Sequence, residues 1–316
     1  MTGLVQIEKT VTKPGTKPYI QRFWVKPPLT NQEPFDKETK QTCERFYQGC
    51  TNNEEFFTKL KAMGITWKQS TFEGINLMRA KYALTEKIKT QQGIPKPHYE
   101  AIMSMVNKCS DINVVQLWLR HTLNMKVHLD PKLKSPHYSP AHKTINLKEL
   151  VGHTTTFRMP YETFFHESGH HVDHQHHKQG YSVVYKNGVF SKALRRDVHV
   201  LLKKFNIDPY DDQHSEQQLQ ALKTYLSPKH SKHEYKDVSD IIEGVTYGGV
   251  QLGVGHGEDY WVDRTINNVN YALPQEAFAE MTSATLCNPQ SLECIKKHLP
   301  NAYKVYQEMI KSMLEA

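Results

Sequence analysis

The sequence predicts an α+β protein that is mainly helical, with a β-hairpin at the amino end and a small sheet near the middle. Three observations carry that expectation. Apolar residues recur at helical spacing through most of the chain after residue 42, as in FSKALRRDVHVLLKKF and PNAYKVYQEMIKSML. Strand-like patterning is confined to residues 4–26 and 124–150. The texture changes at residue 124, which divides the chain into a hairpin-plus-helical domain over 1–123 and a second domain over 124–316.

In chain order, LVQIEKTV and YIQRFWVK alternate partly and flank TKPGTKP, whose Gly and Pro favour the turn of a hairpin. Residues 27–40, polar and Pro-containing, read as a linker or exposed arm. Helices are expected from 42 to about 122. NNEEFFTKLKAMG offers Asn53 as a cap and Gly64 as a stop, and FEGINLMRAKYALTEKIKT and PHYEAIMSMVNKC follow it. NMKVHLD and TINLKEL then read as two strands, joined by the turn-rich loop PKLKSPHYSPAHK. A helix is expected over MPYETFFHESGHHVDHQHHKQG, with Pro160 in its first turn and Gly180 as its stop. SEQQLQALKTYL, VSDIIEGV and PQEAFAEMTSATLC are later helical segments, and the Gly-rich GGVQLGVGHGEDYW reads as a loop.

Composition narrows the class. Twelve Phe, 16 Tyr and 4 Trp argue for a packed core although the apolar fraction is only 38%. The net charge of +7 is spread out, without a run of five basic residues, so neither nucleic acid nor an anionic membrane is signalled as a partner. Five cysteines, odd in number and without a CxxC pair, fit free thiols in a reducing compartment. The amino end lacks an apolar core of signal-peptide length, and no apolar stretch approaches the roughly 20 residues needed to span a bilayer. A cytoplasmic location is the expectation.

The chemistry concentrates in HESGHHVDHQHH, residues 166–177, where six of twelve residues are histidine. His166-Glu167-x-x-His170 is an HExxH pattern. Residues four apart lie one turn apart on one helix face, so both imidazoles can close on one zinc ion. Glu167 is offset around the helix, outside the ligand pair but within reach of a water molecule at the metal. TINLKEL, about twenty residues upstream, is expected to line the cleft and pair with an extended substrate. The competing reading is an exposed histidine-rich helix that holds divalent metals loosely.

The remaining histidines fit a ligand role less well. His176 stands where the longer HExxHxxGxxH motif has its third ligand, but Asp173 replaces the glycine that motif needs to turn the chain. His174 continues the i, i+4, i+8 line but lies about 12 Å from His166 on a straight helix. His171, His174, His176 and His177 are therefore read as bystanders. A catalytic zinc ordinarily takes three protein ligands. PQEAFAEMT, residues 274–282, places Glu276 and Glu280 four apart on a helix whose intervening Ala277, Phe278 and Ala279 suggest burial. Buried carboxylates need partners, which a metal or its imidazoles would supply; a solvated surface helix is the alternative.

HESGHHVDH and EAFAEM together resemble the HExGHxxD and ExFAE signatures of anthrax lethal factor-like zinc peptidase domains. These are gluzincin-type zincins that also occur at the ends of phage minor head and morphogenesis proteins and in polymorphic toxins. SDIIEGV, GHGEDYW and the tail after Asn288 look similar too, so the resemblance spans roughly residues 125–316. It implies a zincin-like metallopeptidase domain with a small sheet above the HExxH helix. It further implies His166, His170 and Glu276 as ligands of one catalytic Zn2+, with Glu167 as general base. Asp173 and Glu280 would be carboxylates holding imidazole N–H groups. Tyr271 would stabilise the oxyanion, although its five-residue spacing from Glu276 is not that of lethal factor, and His256 could line the same cleft. The implied activity is hydrolysis of a protein or peptide substrate in the bacterial host of a phage or mobile element. A structural role in phage head assembly, with virion association, and a toxin effector are the alternatives. No resemblance covers residues 1–120.

Overall fold

In the computed structural model, the described residues are 5–11, 19–25 and 94–316, the last range with breaks at 123–124, 153–156, 212, 228–230 and 267–268. The chain forms two compact units, Met1–Tyr82 and Ala83–Ala316. In the first unit, strands β1 (Val5–Val11) and β2 (Tyr19–Val25) pair antiparallel, Val5 opposite Val25 and Val11 opposite Tyr19. That is the hairpin expected from the alternation around TKPGTKP. The linker expected over 27–40 and the helices expected before residue 94 lie outside the described residues.

The second unit starts well before residue 124. Helices α1 (Lys96–Lys108) and α2 (Ile112–Thr122) belong to it. Val114, Val115, Leu117 and Trp118 of α2 are all buried. Trp118 packs edge-on against Phe164, lies against Phe165, and donates from its indole N–H to the Ser168 hydroxyl at 2.6 Å. Burying each such aromatic contributes about 1.5–3 kcal/mol. The change of texture at 124 is thus a passage from helix to strand inside one core.

Strands β3 (Lys126–Leu129), β4 (His137–Ser139) and β5 (Thr144–Leu147) form a mixed sheet in the order β3-β5-β4. β5 runs parallel to β3 and antiparallel to β4, with Ile145 and Leu147 buried. The sequence leads one to expect two strands, with TINLKEL free to receive a substrate. The structure places β5 in the centre, where both of its edges are already paired; the outer strands are β3 and β4.

The site helix α3 spans Glu162–His176, entered through Tyr161 in the left-handed region (φ 65°). It starts later than Pro160, because Tyr161 donates to the Val151 carbonyl rather than joining the helix, and it ends before Gly180, where His177 is extended. Helices α4 (Tyr181–Val184), α5 (Val189–Lys203) and α6 (Glu216–Leu226) follow, the last opened by a Ser215–Gln218 capping box. Next come α7 (Lys232–Val245) and a short α8 (Glu258–Asp263) within the predicted loop. The small ladder β6 (Thr265–Ile266) and β7 (Val269–Asn270) leads into α9 (Ala272–Cys287). Two further helices, α10 (Pro289–His298) and α11 (Pro300–Glu315), close the chain.

The fold is α+β, with α9 at its centre: nearly every α9 side chain is buried, under α3, α7, α10 and α11. The crossing of α3 over α9 is close because Gly169 faces the backbone of Ala279. A Cβ at Gly169 would stand 2.8 Å from the Ala279 Cα. Among the described residues, no helix is long and apolar enough to cross a membrane. Cys109, Cys287 and Cys294 carry free thiols.

Candidate metal centre

The close crossing brings three side chains from the two helices to one point. The Nε2 atoms of His166 and His170 lie 3.2 and 3.3 Å from Oε2 of Glu276. All three donor atoms fall within 4.8 Å of one another, and the group is buried apart from part of His170. Glu276 Oε2 is buried and makes no hydrogen bond, although its residue is only 5% exposed. A solvent-shielded carboxylate oxygen needs a positive partner, which protonated imidazoles or a bound cation would supply. Two imidazoles and one carboxylate are a donor set that suits a divalent ion such as zinc, with a position left for water or substrate.

Two of the three side chains are held from behind. His166 turns Nδ1 toward Glu280 Oε1 at 3.4 Å, which leaves Nε2 directed at the common point. Burial works against a charge on His166, but Glu280 and Glu276 outweigh it and hold the imidazole well above its ordinary range. Burial likewise works against a charge on Glu276, yet His170 and His256 hold it well below the usual carboxylate range. Glu276 Oε1 accepts a short hydrogen bond from the Tyr260 hydroxyl.

Glu280 belongs to a deeper ionic cluster. Lys236 Nζ lies 3.2 Å from both Glu280 Oε2 and Glu162 Oε1 and bonds its neighbour Asp237. Burial and the Glu280 carboxylate push Asp237 upward, while Ser291 donates to its other oxygen. Glu162 also accepts from the Asn288 amide at 2.9 Å, and the same Asn288 caps α10 through the Ser291 N–H. Helices α3, α7, α9 and α10 are thereby tied behind the histidines. A buried cluster of this kind adds little net stability, but losing one member leaves a charge unpaired.

Glu167, 6% exposed, follows His166 on α3. The other histidines face elsewhere. His171 meets the Tyr138 hydroxyl at 3.3 Å and the His121 carbonyl at 3.0 Å. His174 donates to the Lys178 carbonyl, and His177 accepts from the Gln179 N–H. His176 pairs its Nε2 with that of His121 at 2.9 Å. The longer three-histidine motif is not formed, since helix geometry through Asp173 carries His176 away from the ligand pair.

Two residues differ from their expected roles. Asp173 does not hold an imidazole: its carboxylate accepts from the Ser182 N–H and hydroxyl, both at 2.7 Å, and anchors the start of α4. Burial pushes it up to about 6 even so. Tyr271 sits at the amino end of α9, 36% exposed, and makes no contact with the ligand group. The tyrosine at the ligand carboxylate is Tyr260 on α8. Its ring stacks on His256 at 4.1 Å between centroids, and the Arg264 guanidinium lies 4.2 Å over its other face.

Asp240, Glu243 and Tyr260 were not assigned roles from the sequence, and His256 was expected only to line the cleft. A signal was present: VSDIIEGV sets Asp240 and Glu243 three apart in an apolar helix, and buried carboxylates demand partners. The Gly-rich loop after Gly253 supplies them. His256 gives both its N–H and its ring Nδ1 to Asp240 Oδ1, at 3.0 and 2.8 Å. Gly257 donates its N–H to Glu243 at 3.1 Å. Burial opposes a charge on His256, but Asp240 and Glu276 raise it to about 9.

No protein-family model, curated protein or solved structure matches this chain. What the site can do is therefore argued from its own donors and their surroundings.

Proposed function

We propose that the protein is a zinc-dependent metallopeptidase that hydrolyses peptide bonds of a protein or peptide substrate. The observation that carries the reading is the meeting of His166, His170 and Glu276 at one buried point, with Glu167 one residue along the same helix. His166 and His170 would hold the ion through Nε2 and Glu276 through Oε2. When bound, the ion polarises the substrate carbonyl and lowers the pKa of water beside it. Glu167 takes a proton from the attacking water as its oxygen adds to the carbonyl carbon. Glu167 then passes that proton to the nitrogen as the C–N bond breaks, so the products are a carboxylate and an amine. Glu280 keeps His166 in the tautomer that presents Nε2, and Tyr260 keeps the Glu276 carboxylate turned.

Metal analysis of the purified protein, with digestion of a mixed peptide library followed by mass spectrometry, tests the reading. One zinc per chain is expected in wild type, and little in His166→Ala or Glu276→Ala. Glu167→Gln should keep the zinc and the fold while cleavage falls by a factor of about 100 or more. Cleavage by Glu167→Gln at the wild-type rate would remove Glu167 as the base.

A further inference from the structure

Away from the metal centre, a groove of about 700 Å³ opens between α6 and the carboxyl ends of α5 and α10. Phe205, Ala221 and Tyr225 line it together with Gln217, Gln220 and Lys297, and its walls are mostly apolar. Tyr225 is 36% exposed, and its ring is met edge-on by Phe205 at 5.4 Å and by His298 at 5.0 Å between centroids. Two ammonium groups approach the same ring. Lys204 Nζ lies 5.3 Å from its centre and Lys297 Nζ 5.4 Å, and Lys204 also donates to the Tyr225 hydroxyl at 3.2 Å. Basic residues at helix carboxyl ends are ordinary, since they face the free carbonyls there. What sets this pair apart is that neither lysine has a carboxylate partner among the described residues, whereas the neighbouring Lys296 is paired with Glu293 at 2.9 Å. His298 feels the charge they concentrate: burial first, and then Lys297 and Lys204, lower it to about 4.

We propose that this groove is a docking site for an acidic segment of a protein partner, which seats a bulky apolar side chain against Phe205 and Tyr225 and sets its carboxylates on Lys204 and Lys297. Charge complementarity decides the occupant. Two ammonium groups without carboxylates beside an apolar trough attract a chain whose own carboxylates flank an apolar anchor, and Gln217 and Gln220 offer amides to its backbone. The net charge of +7 favours encounter with an acidic partner. A nucleic-acid strand would instead need a bare aromatic face on which to stack. The Tyr225 ring is already approached by two ammonium groups, an imidazole and Phe205, which favours the peptide. The groove is separate from the metal centre. Helix α10 starts at the buried cluster behind the histidines, where Asn288 and Ser291 bond Glu162 and Asp237. Its ten residues span roughly 15 Å, with Lys297 near the far end. Docking here anchors a partner without occupying the cleft, whether or not the centre hydrolyses peptides.

The test uses the full chain and reads binding by fluorescence anisotropy. The probe is a short fluorescein-labelled peptide of aspartate and glutamate around a central phenylalanine. Wild type should bind it saturably with a Kd below about 1 mM, and raising the ionic strength from about 0.1 to about 1 M should weaken the complex. The same peptide with glycine at its centre should bind about fivefold more weakly or worse. Lys204→Glu combined with Lys297→Glu should cost about tenfold or more, while Lys204→Arg with Lys297→Arg keeps affinity within about threefold. Ala221→Trp, on the exposed side of α6, fills the groove without touching charge and should weaken binding by about fivefold or more. Circular dichroism identifies the variants that stay folded. Wild-type affinity in a folded charge-reversed chain, or equal binding of the phenylalanine and glycine peptides, overturns the docking site. So does a wild type without saturable binding. An oligothymidylate that binds more tightly than the peptide, and loses its affinity with the same charge reversal, overturns it in favour of a nucleic-acid face. Zinc content and cleavage test the metal centre separately from all of these.

Discussion

Glu276 divides its work between its two oxygens: Oε2 faces the imidazoles, and Oε1 is held by the Tyr260 hydroxyl. Burial first, and then the adjacent Glu276 charge, push the Tyr260 phenol upward, so it stays a donor across the accessible pH range. Tyr260→Phe keeps the ring between His256 and Arg264 but removes the hydrogen bond. A fall in zinc affinity of about tenfold is expected, measured by competition against a chromogenic chelator, with the circular dichroism spectrum unchanged. Equal affinities would mean that the carboxylate needs no such support. Glu280 is the corresponding support for His166, and its own anchor is Lys236.

Between elements, the decisive feature is the approach of α3 to α9 at Gly169. On an exposed helix, replacing glycine by alanine gains up to about 1 kcal/mol. Here the new methyl group would stand 2.8 Å from the Ala279 Cα, a backbone atom that cannot yield alone. Gly169→Ala is therefore expected to destabilise by about 1–3 kcal/mol and to weaken zinc binding, because the histidine pair and Glu276 would move apart. A raised melting temperature would show that the crossing is looser than described. How far these elements could be read beforehand follows from their physics. HExxH and the Glu276–Glu280 pair sit on long helices whose spacing alone fixes which side chains share a face. β4 is three residues long, too short for alternation to register, and it displaced TINLKEL from the sheet edge. Tyr260 and the partners of His256 escaped because their placement depends on a glycine loop wrapping Asp240 and Glu243, a tertiary event with no period in the sequence. The break between α9 and α10 is only Asn288, so α10 was not separated from the tail.

At the scale of the molecule, three buried histidines outside the candidate centre are expected to contribute to the response to acid. Burial keeps His121 lowered to about 2 and His171 and His176 lowered to about 4, with Arg120 and Lys143 nearby adding to the effect. In the unfolded chain all three titrate near 6.5. Their folded values are depressed, so the stability they contribute is present above about pH 6.5 and is lost as pH falls from there toward 4. By pH 5 the loss is roughly 1–2 kcal/mol for each well-buried ring, and less for partly exposed His176. Thermal unfolding of chelator-treated protein should fall steeply between pH 7 and 5, and His176→Gln should flatten the slope. An unaltered slope would place the acid sensitivity elsewhere. A zinc ion held at the proposed centre would act on the same equilibrium, since an ion bound only by the folded chain stabilises it by mass action. At neutral pH, excess chelator should lower the melting temperature of wild type and leave Glu276→Ala unmoved.

The imidazole pair comes from residues 166 and 170, whereas the carboxylate arrives only at residue 276. A growing polypeptide therefore displays HESGHH long before α9 exists to finish the cage. During synthesis the candidate site therefore stays incomplete until α9 has emerged and docked.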